Sequence, residues 1–192
     1  MANTKIDTGP FLFPMPIVLV GAQVDGAPNY MTAAFVGIAN FKPTVVACGL
    51  SPTHRTCDGI VEKGCFSLNL PSADMVEVTD YCGLYSGRKV DKEGLFDTFY
   101  GELETAPMIG ECALNAECRL VDTIPYAVDT LYLGEVVNLY ARGDVLTGGE
   151  PDWRKIEPLI FTFPDKGYWR LGEHLARAWK VGKGYRSSRQ AT

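Results

Sequence analysis

Ser51, Arg55 and Thr56 stand within one hexapeptide, SPTHRT, directly after the apolar run VVACGL. Two hydroxyls and a guanidinium at the end of a buried strand suit an anion, above all a phosphate, because arginine makes bidentate, charge-assisted contacts. A helix that starts here turns its positive end toward the same point. Pro52 removes one amide donor from that end and leaves more of the binding to side chains. The same residues also suit a capped, solvated helix start, with Ser51 as the N-cap and Pro52 in the first turn. His54 reads as an exposed loop residue rather than a catalyst.

A second cluster lies at residues 86–92, SGRKVDK, where Ser86, Arg88, Lys89 and Lys92 gather around Gly87. Such a run is ordinarily a solvated face, yet in an acidic chain with a glycine hinge it also marks an anion pocket. A third stretch, residues 29–35, NYMTAAF, places Thr32, Ala33 and Ala34 in succession on a strand. Small side chains let a flat ligand approach the backbone, whose amides then bond its polar edge. Taken alone, the stretch reads first as close packing against a neighbouring element. Taken together, two cationic loops and a small-residue strand fit a phosphorylated, flat, aromatic ligand. Neither GxGxxG nor the P-loop pattern is present, so any nucleotide is held without those motifs.

The elements that must position these residues are mostly strands. Residues 17–24 and 30–38 flank Asp25-Gly26, a strong hairpin signal. Residues 45–50 form a third strand, and residues 52–63 read as a helix with Cys57, Ile60 and Val61 on one face. Gly64 supplies its C-terminal cap, with Lys63 in the favourable last turn. Residues 65–70 alternate as a half-buried strand. A second helix is predicted over 73–81 and a charged loop over 86–96. Strands follow at 112–121 and 131–141, joined by a turn at 124–129, then at 159–163, and LGEHLARAWKVG at 171–182 has helical character. Many antiparallel strands with few helices predict a mainly β fold, a β-barrel with helices packed outside it.

Composition sets limits. A chain of 192 residues fits one domain, and 46% apolar with 21% charged residues is ordinary for a soluble globule. No apolar run approaches the roughly 20 residues a bilayer requires, and Pro10, Pro14 and Pro16 interrupt any signal core, which predicts a cytoplasmic protein. A net charge of −5 argues against nucleic acid as a partner. The six cysteines form no CxxC pair, and with two histidines no metal-binding spacing emerges. They read as buried thiols, without excluding redox work by one of them.

The order N-x-M-T-A-x-F, S-P-x-x-R-T, G-C-F-x-L-N-L and Y-C-G-x-x-S-G-x-x-V-D-K resembles the flavin reductase-like, FMN-binding split-barrel family, most closely its flavoredoxins, over residues 9–182. The resemblance implies a homodimer of six-stranded Greek-key barrels that holds FMN non-covalently near the subunit interface. It also implies an oxidoreductase that passes electrons from NAD(P)H or a redox-protein donor through that FMN. Carried over by position, Asn29, Thr32, Ala33 and Ala34 match the strand beside the flavin, and Ser51, Arg55 and Thr56 match the phosphate turn. Ser86 and Lys92 match the second loop, joined by Arg88. Phe35 stands where relatives often have tryptophan, and Tyr168 and Trp169 lie in the tail that approaches the flavin. Met31, Phe35 and Trp179 are candidates for the surface between subunits. No catalytic side chain and no metal ligand is expected. A non-enzymatic electron carrier and a split barrel holding haem or a deazaflavin remain alternatives.

Overall fold

The computed structural model describes residues 2–6, 8–163 and 165–185. Seven strands form one antiparallel sheet: β1 (Val18–Val24), β2 (Ala27–Ala33), β3 (Val36–Asn40), β4 (Val45–Leu50), β5 (Cys65–Leu70), β6 (Leu114–Pro125) and β7 (Thr130–Ala141). Their spatial order is β2-β1-β5-β6-β7-β4-β3. The two edges of this sheet, β2 and β3, are consecutive in the chain and separated by Ala34 and Phe35 alone. Three Cα steps span at most about 11 Å, so the sheet must curl until its edges meet. The result is a barrel, left split where no β2–β3 ladder forms among the described residues.

The β1–β2 hairpin turns on Asp25 and Gly26, with φ of 52° and 85°, the two positive angles a type I′ turn demands. Alternate residues point inward: Val18, Val20 and Ala22 from β1, Val46, Cys48 and Leu50 from β4, Phe66 and Leu68 from β5. Helix α1 (Arg55–Lys63) adds Cys57 and Ile60 to that interior. On the outer face of β1 and β2, Leu19 and Tyr30 pack against Cys82 of helix α2 (Val76–Leu84) and against Phe96 and Ile109. Burial on both faces explains why β1 reads as an almost unbroken apolar run. A smaller sheet joins Met15–Pro16 to β8 (Leu159–Thr162) and β9 (Gly167–Arg170).

Several boundaries differ from expectation. The strand expected over 30–38 breaks at Ala34 and Phe35, where the Phe35 carbonyl already accepts from Gly49 N of β4 at 2.8 Å. Helix α1 begins at Arg55, not Pro52. Ser51 shares its hydroxyl with Thr53 at 2.9 Å instead of capping, and His54 occupies the N-cap position without a side-chain bond. At the other end Gly64 closes α1 in the left-handed region, as read from sequence. The strand expected to end at 121 continues to Pro125, and the turn narrows to residues 126–129, where Tyr126 N donates to Asp129 O at 2.8 Å. Residues 171–182 form no helix: Leu175 and Trp179 are almost wholly exposed, so no apolar helix face is buried. All six cysteines are free and buried, and burial pushes the Cys48 thiol up to about 12 and Cys57 to about 11.

Gly134 of β7 shows how tightly the interior is filled. A Cβ there would come within 2.7 Å of the Phe66 ring and 3.1 Å of Cys118 Cβ. Gly134→Ala is therefore expected to cost roughly 1–3 kcal/mol through overpacking and to lower the thermal midpoint by about 2–4 °C per kcal/mol. An unchanged melting curve would show that Phe66 swings aside freely.

Candidate functional site

The split in the barrel is where the three polar stretches meet. The carboxyl end of β2, the end of β4 and the start of α1 border a cavity of about 280 Å³, walled by Thr32, Ala34, Phe35, Ser51, Phe161 and Phe163. Phe163 stacks on Phe35 with centroids 6.3 Å apart and planes at 28°, and Phe161 meets Phe163 edge-on. Met31, Thr32 and His54 are shared with a second, narrower cavity of about 160 Å³ that Arg55, Thr56, Ser86, Gly87 and Lys92 help to line. Arg55, Gly87 and Lys92 in turn border an outer cleft of about 370 Å³ with Asn29, Arg88 and Lys89. An aromatic slot thus runs through a neck into a cationic cleft.

Hydrogen bonds fix the neck. Asn29 Nδ2 donates to Thr56 Oγ1 at 2.7 Å, both residues being buried, and ties β2 to α1. A side chain on Gly87 would overlap the Asn29 amide, whose Cγ lies 2.9 Å from the would-be Cβ. Only glycine lets the 86–92 loop come this close. Thr32 donates its hydroxyl to the Thr79 carbonyl of α2. Arg88 Nε donates to Thr53 O at 3.2 Å and its terminal nitrogen pairs with Asp58 at 2.8 Å, so the loop is also strapped to α1.

The cations differ in kind. Arg55 pairs with Asp25 in the hairpin turn and with Asp58 at 3.1 Å, and it keeps a quarter of its side chain exposed. An incoming phosphate would compete with exposed carboxylates for this guanidinium. Lys92, read from sequence as one cation of an anion-binding loop, is only 3% exposed. Its Nζ donates to Tyr30 O at 2.7 Å and Cys82 O at 2.9 Å, and no carboxylate pairs with it among the described residues. Burial pushes its ammonium below the ordinary lysine value. Two of its three donors are occupied, and it stands at the junction of neck and outer cleft without a countercharge. A buried, uncompensated cation is costly unless an anion joins it.

Of the sequence-read residues, Thr32, Ala33, Ala34, Phe35 and Ser51 line the slot, Arg55, Thr56, Ser86 and Lys92 the neck, and Asn29 and Arg88 the outer cleft. Tyr168 lies outside all three. Its hydroxyl donates to Asp80 at 2.9 Å and its ring packs on Phe161, so it backs the slot's wall. Trp169 is half exposed and donates to Thr162 at 2.8 Å. Met31 faces the barrel interior and the cavities, so it cannot belong to an outer contact surface.

Sequence reading missed Phe161, Phe163 and Gly83, and undervalued His54. The aromatic alternation Phe161-Thr162-Phe163 was the available signal. His54 borders both slot and neck, and burial pushes its imidazole below the usual value against the pull of Asp129.

Fold and groove together define a split antiparallel barrel with a ligand cleft at its open seam. The family described as Flavin reductase like domain matches residues 11–166, and the chain belongs to it. The crystal structure of flavoredoxin from Methanosarcina acetivorans superposes with a TM-score of 0.93 at 45% identity, covering 95% of this chain and 98% of that one. Flavoredoxin of Desulfovibrio vulgaris (Miyazaki F) superposes with a TM-score of 0.88 at 32% identity, over 94% and 100%. An uncharacterized protein of Archaeoglobus fulgidus is 31% identical over 154 residues, 79% of this chain and 86% of its own length.

Proposed function

We propose that the chain is a single-domain cytoplasmic oxidoreductase of flavin reductase/flavoredoxin type that binds FMN in the seam of the barrel. The observation that carries this reading is the continuity of an aromatic slot with a cationic neck holding the uncompensated ammonium of Lys92. In the slot, Phe35, Phe161 and Phe163 offer flat apolar surface to an isoalloxazine, and Ala33 and Ala34 leave the backbone of the β2 end accessible. Arg55, Thr56, Ser86 and Lys92 hold the phosphate. Bound FMN supplies the redox chemistry, taking electrons from NAD(P)H or a protein donor and handing them on. The protein's share is to orient the ring, exclude water from its apolar face and place positive charge near the reduced flavin. The likeness to two flavoredoxins at 45% and 32% identity also favours a reading in which the chain only carries electrons between proteins.

Purified protein is expected to be yellow, or to quench the fluorescence of added FMN. Steady-state oxidation of NADH and NADPH with free FMN then separates the two readings, since a reductase turns over and a carrier shows almost none. A colourless protein that leaves FMN fluorescence untouched would remove the cofactor assignment. Two copies are proposed to associate: Phe35, Ile38 and Phe41 along the seam are exposed apolar residues, and surface of that kind is ordinarily covered by a partner.

A further inference from the structure

Beyond Arg170 the chain leaves the sheets, and residues 171–176 face Thr147 and residues 150–154 of the body across a cavity of about 830 Å³. Residues 171–185 contain no helix or strand, and every hydrogen bond of their backbone joins one residue of the segment to another. Their large apolar side chains are bare: Leu175 is 92% exposed, Trp179 93% and Tyr185 82%. An arm with such side chains in water is unfavourable unless something covers them.

Charge says what that is. Residues 171–192 hold five of the chain's eighteen lysines and arginines but one of its twenty-three acidic residues. The rest of the chain is correspondingly acidic. Two exposed surfaces of that acidic body have matching apolar character: Trp153 with Glu150 and Asp152, which faces the start of the arm on its own chain, and a hairpin tip that the arm of its own chain does not border. The tip of the β6–β7 hairpin, residues 121–129, VDTIPYAVD, carries Asp122 and Asp129 and no lysine or arginine. Val121, Tyr126 and Val128 on it are all at least half exposed. A basic apolar arm and an acidic apolar hairpin tip, whose half-buried Asp129 also borders the slot, thus stand on one molecule.

We infer that the arm of one copy packs across the β6–β7 tip of a second copy, so that two chains exchange arms about a two-fold axis. Trp179 and Leu175 cover Tyr126 and Val128 of the other copy, and Arg177, Lys180 and Lys183 face its Asp122 and Asp129. A closed two-fold exchange buries both complementary surfaces at once and leaves neither open for further growth. The inference rests on the two-copy reading above and adds the segment that makes the contact.

The test uses full-length chains, unlabelled and uniformly 15N-labelled, mixed and equilibrated. A zero-length carbodiimide couples a lysine only to a carboxylate it touches. Mass spectrometry is expected to find Lys180 or Lys183 joined to Asp122 or Asp129 in peptides of mixed label. Coupled peptides of single label only would place the arm on its own hairpin, and coupling elsewhere, or none, would also overturn the exchange. In parallel, the full-length double variant Leu175→Ser, Trp179→Ala is expected to raise the dimer dissociation constant at least about tenfold in sedimentation equilibrium, as loss of two large contacts requires. A wild-type mass of one 21.0 kDa chain at micromolar concentration sinks the two-copy reading and the exchange with it. A wild-type dimer whose dissociation constant the variant leaves unchanged sinks the exchange alone. Release of wild-type dimers at high salt is expected as well, because the arm's contribution is partly ionic.

Discussion

Arg55→Ala is expected to raise the dissociation constant for FMN about ten- to a hundredfold and to leave that for riboflavin nearly unchanged. The guanidinium stands at the junction of neck and outer cleft, partly desolvated, and a charge-assisted bond from such a group is worth on the order of 1.5–3 kcal/mol. Riboflavin has no phosphate and so loses nothing there. The carboxylates on Arg55 sharpen the expectation. Asp25 holds it from an exposed hairpin turn and Asp58 from one turn further along α1, so both compete with the phosphate for the same guanidinium. Asp25→Asn removes one competitor and is expected to tighten FMN modestly without affecting riboflavin. Fluorescence titration of the three proteins with both ligands decides the matter. Parallel losses for FMN and riboflavin in Arg55→Ala would mean that the SPTHRT turn only builds the start of α1.

That turn also marks how far sequence carries. The strands that bear the site were legible because their signals are local: Asp25-Gly26 fixes the first hairpin, Gly64 ends α1, and alternation through Phe66 and Leu68 gives β5 its faces. Assembly of the three polar stretches followed only from the barrel reading and the likeness to a family, since the contacts that join them span long separations. Asn29 reaches Thr56, and Arg88 reaches Asp58, and no periodicity announces such pairs. Lys92 was named from sequence, but its burial was not legible there. In SGRKVDK it looks like one charge among several, and nothing nearby says that the loop folds back so that Tyr30 O and Cys82 O accept two of its hydrogen bonds. The arm at 171–182 failed for the opposite reason. It has helical periodicity, but an isolated helix of that length is marginal in water unless its apolar face is buried, and here Leu175 and Trp179 stay almost wholly exposed.

Glu117 carries the second large effect, and it lies outside the slot, neck and outer cleft. Its carboxylate, fully buried on β6, accepts from Leu103 N at 2.7 Å, Glu102 N at 3.1 Å, Asn138 Nδ2 at 2.7 Å and Tyr140 hydroxyl at 2.8 Å. It pins the loop at 101–103 to the barrel. Burial alone would raise its pKa, but bonds from Asn138, Leu103, Tyr140 and Glu102 outweigh burial and hold the carboxyl below the ordinary glutamate value. Glu117→Ala strands these donors and is expected to cost on the order of 3 kcal/mol, or about 6–12 °C in the thermal midpoint of a chain this size. Glu117→Gln keeps the shape but turns an NH₂ toward the Leu103 amide, donor against donor, or loses the other three bonds if flipped. The sign of the pH dependence follows from the depressed folded value. The ionised carboxylate stabilises the fold fully above its unfolded pKa, near 4.3, and the contribution is lost as pH falls through the folded pKa. The wild type is therefore expected to melt well above Glu117→Gln at pH 7, with the gap closing as the pH drops from about 5 toward 3. Calorimetry of both proteins across that range is the check. A gap that stays constant down to pH 3 would mean that Glu117 acts by shape alone and that its charge contributes nothing to holding the loop.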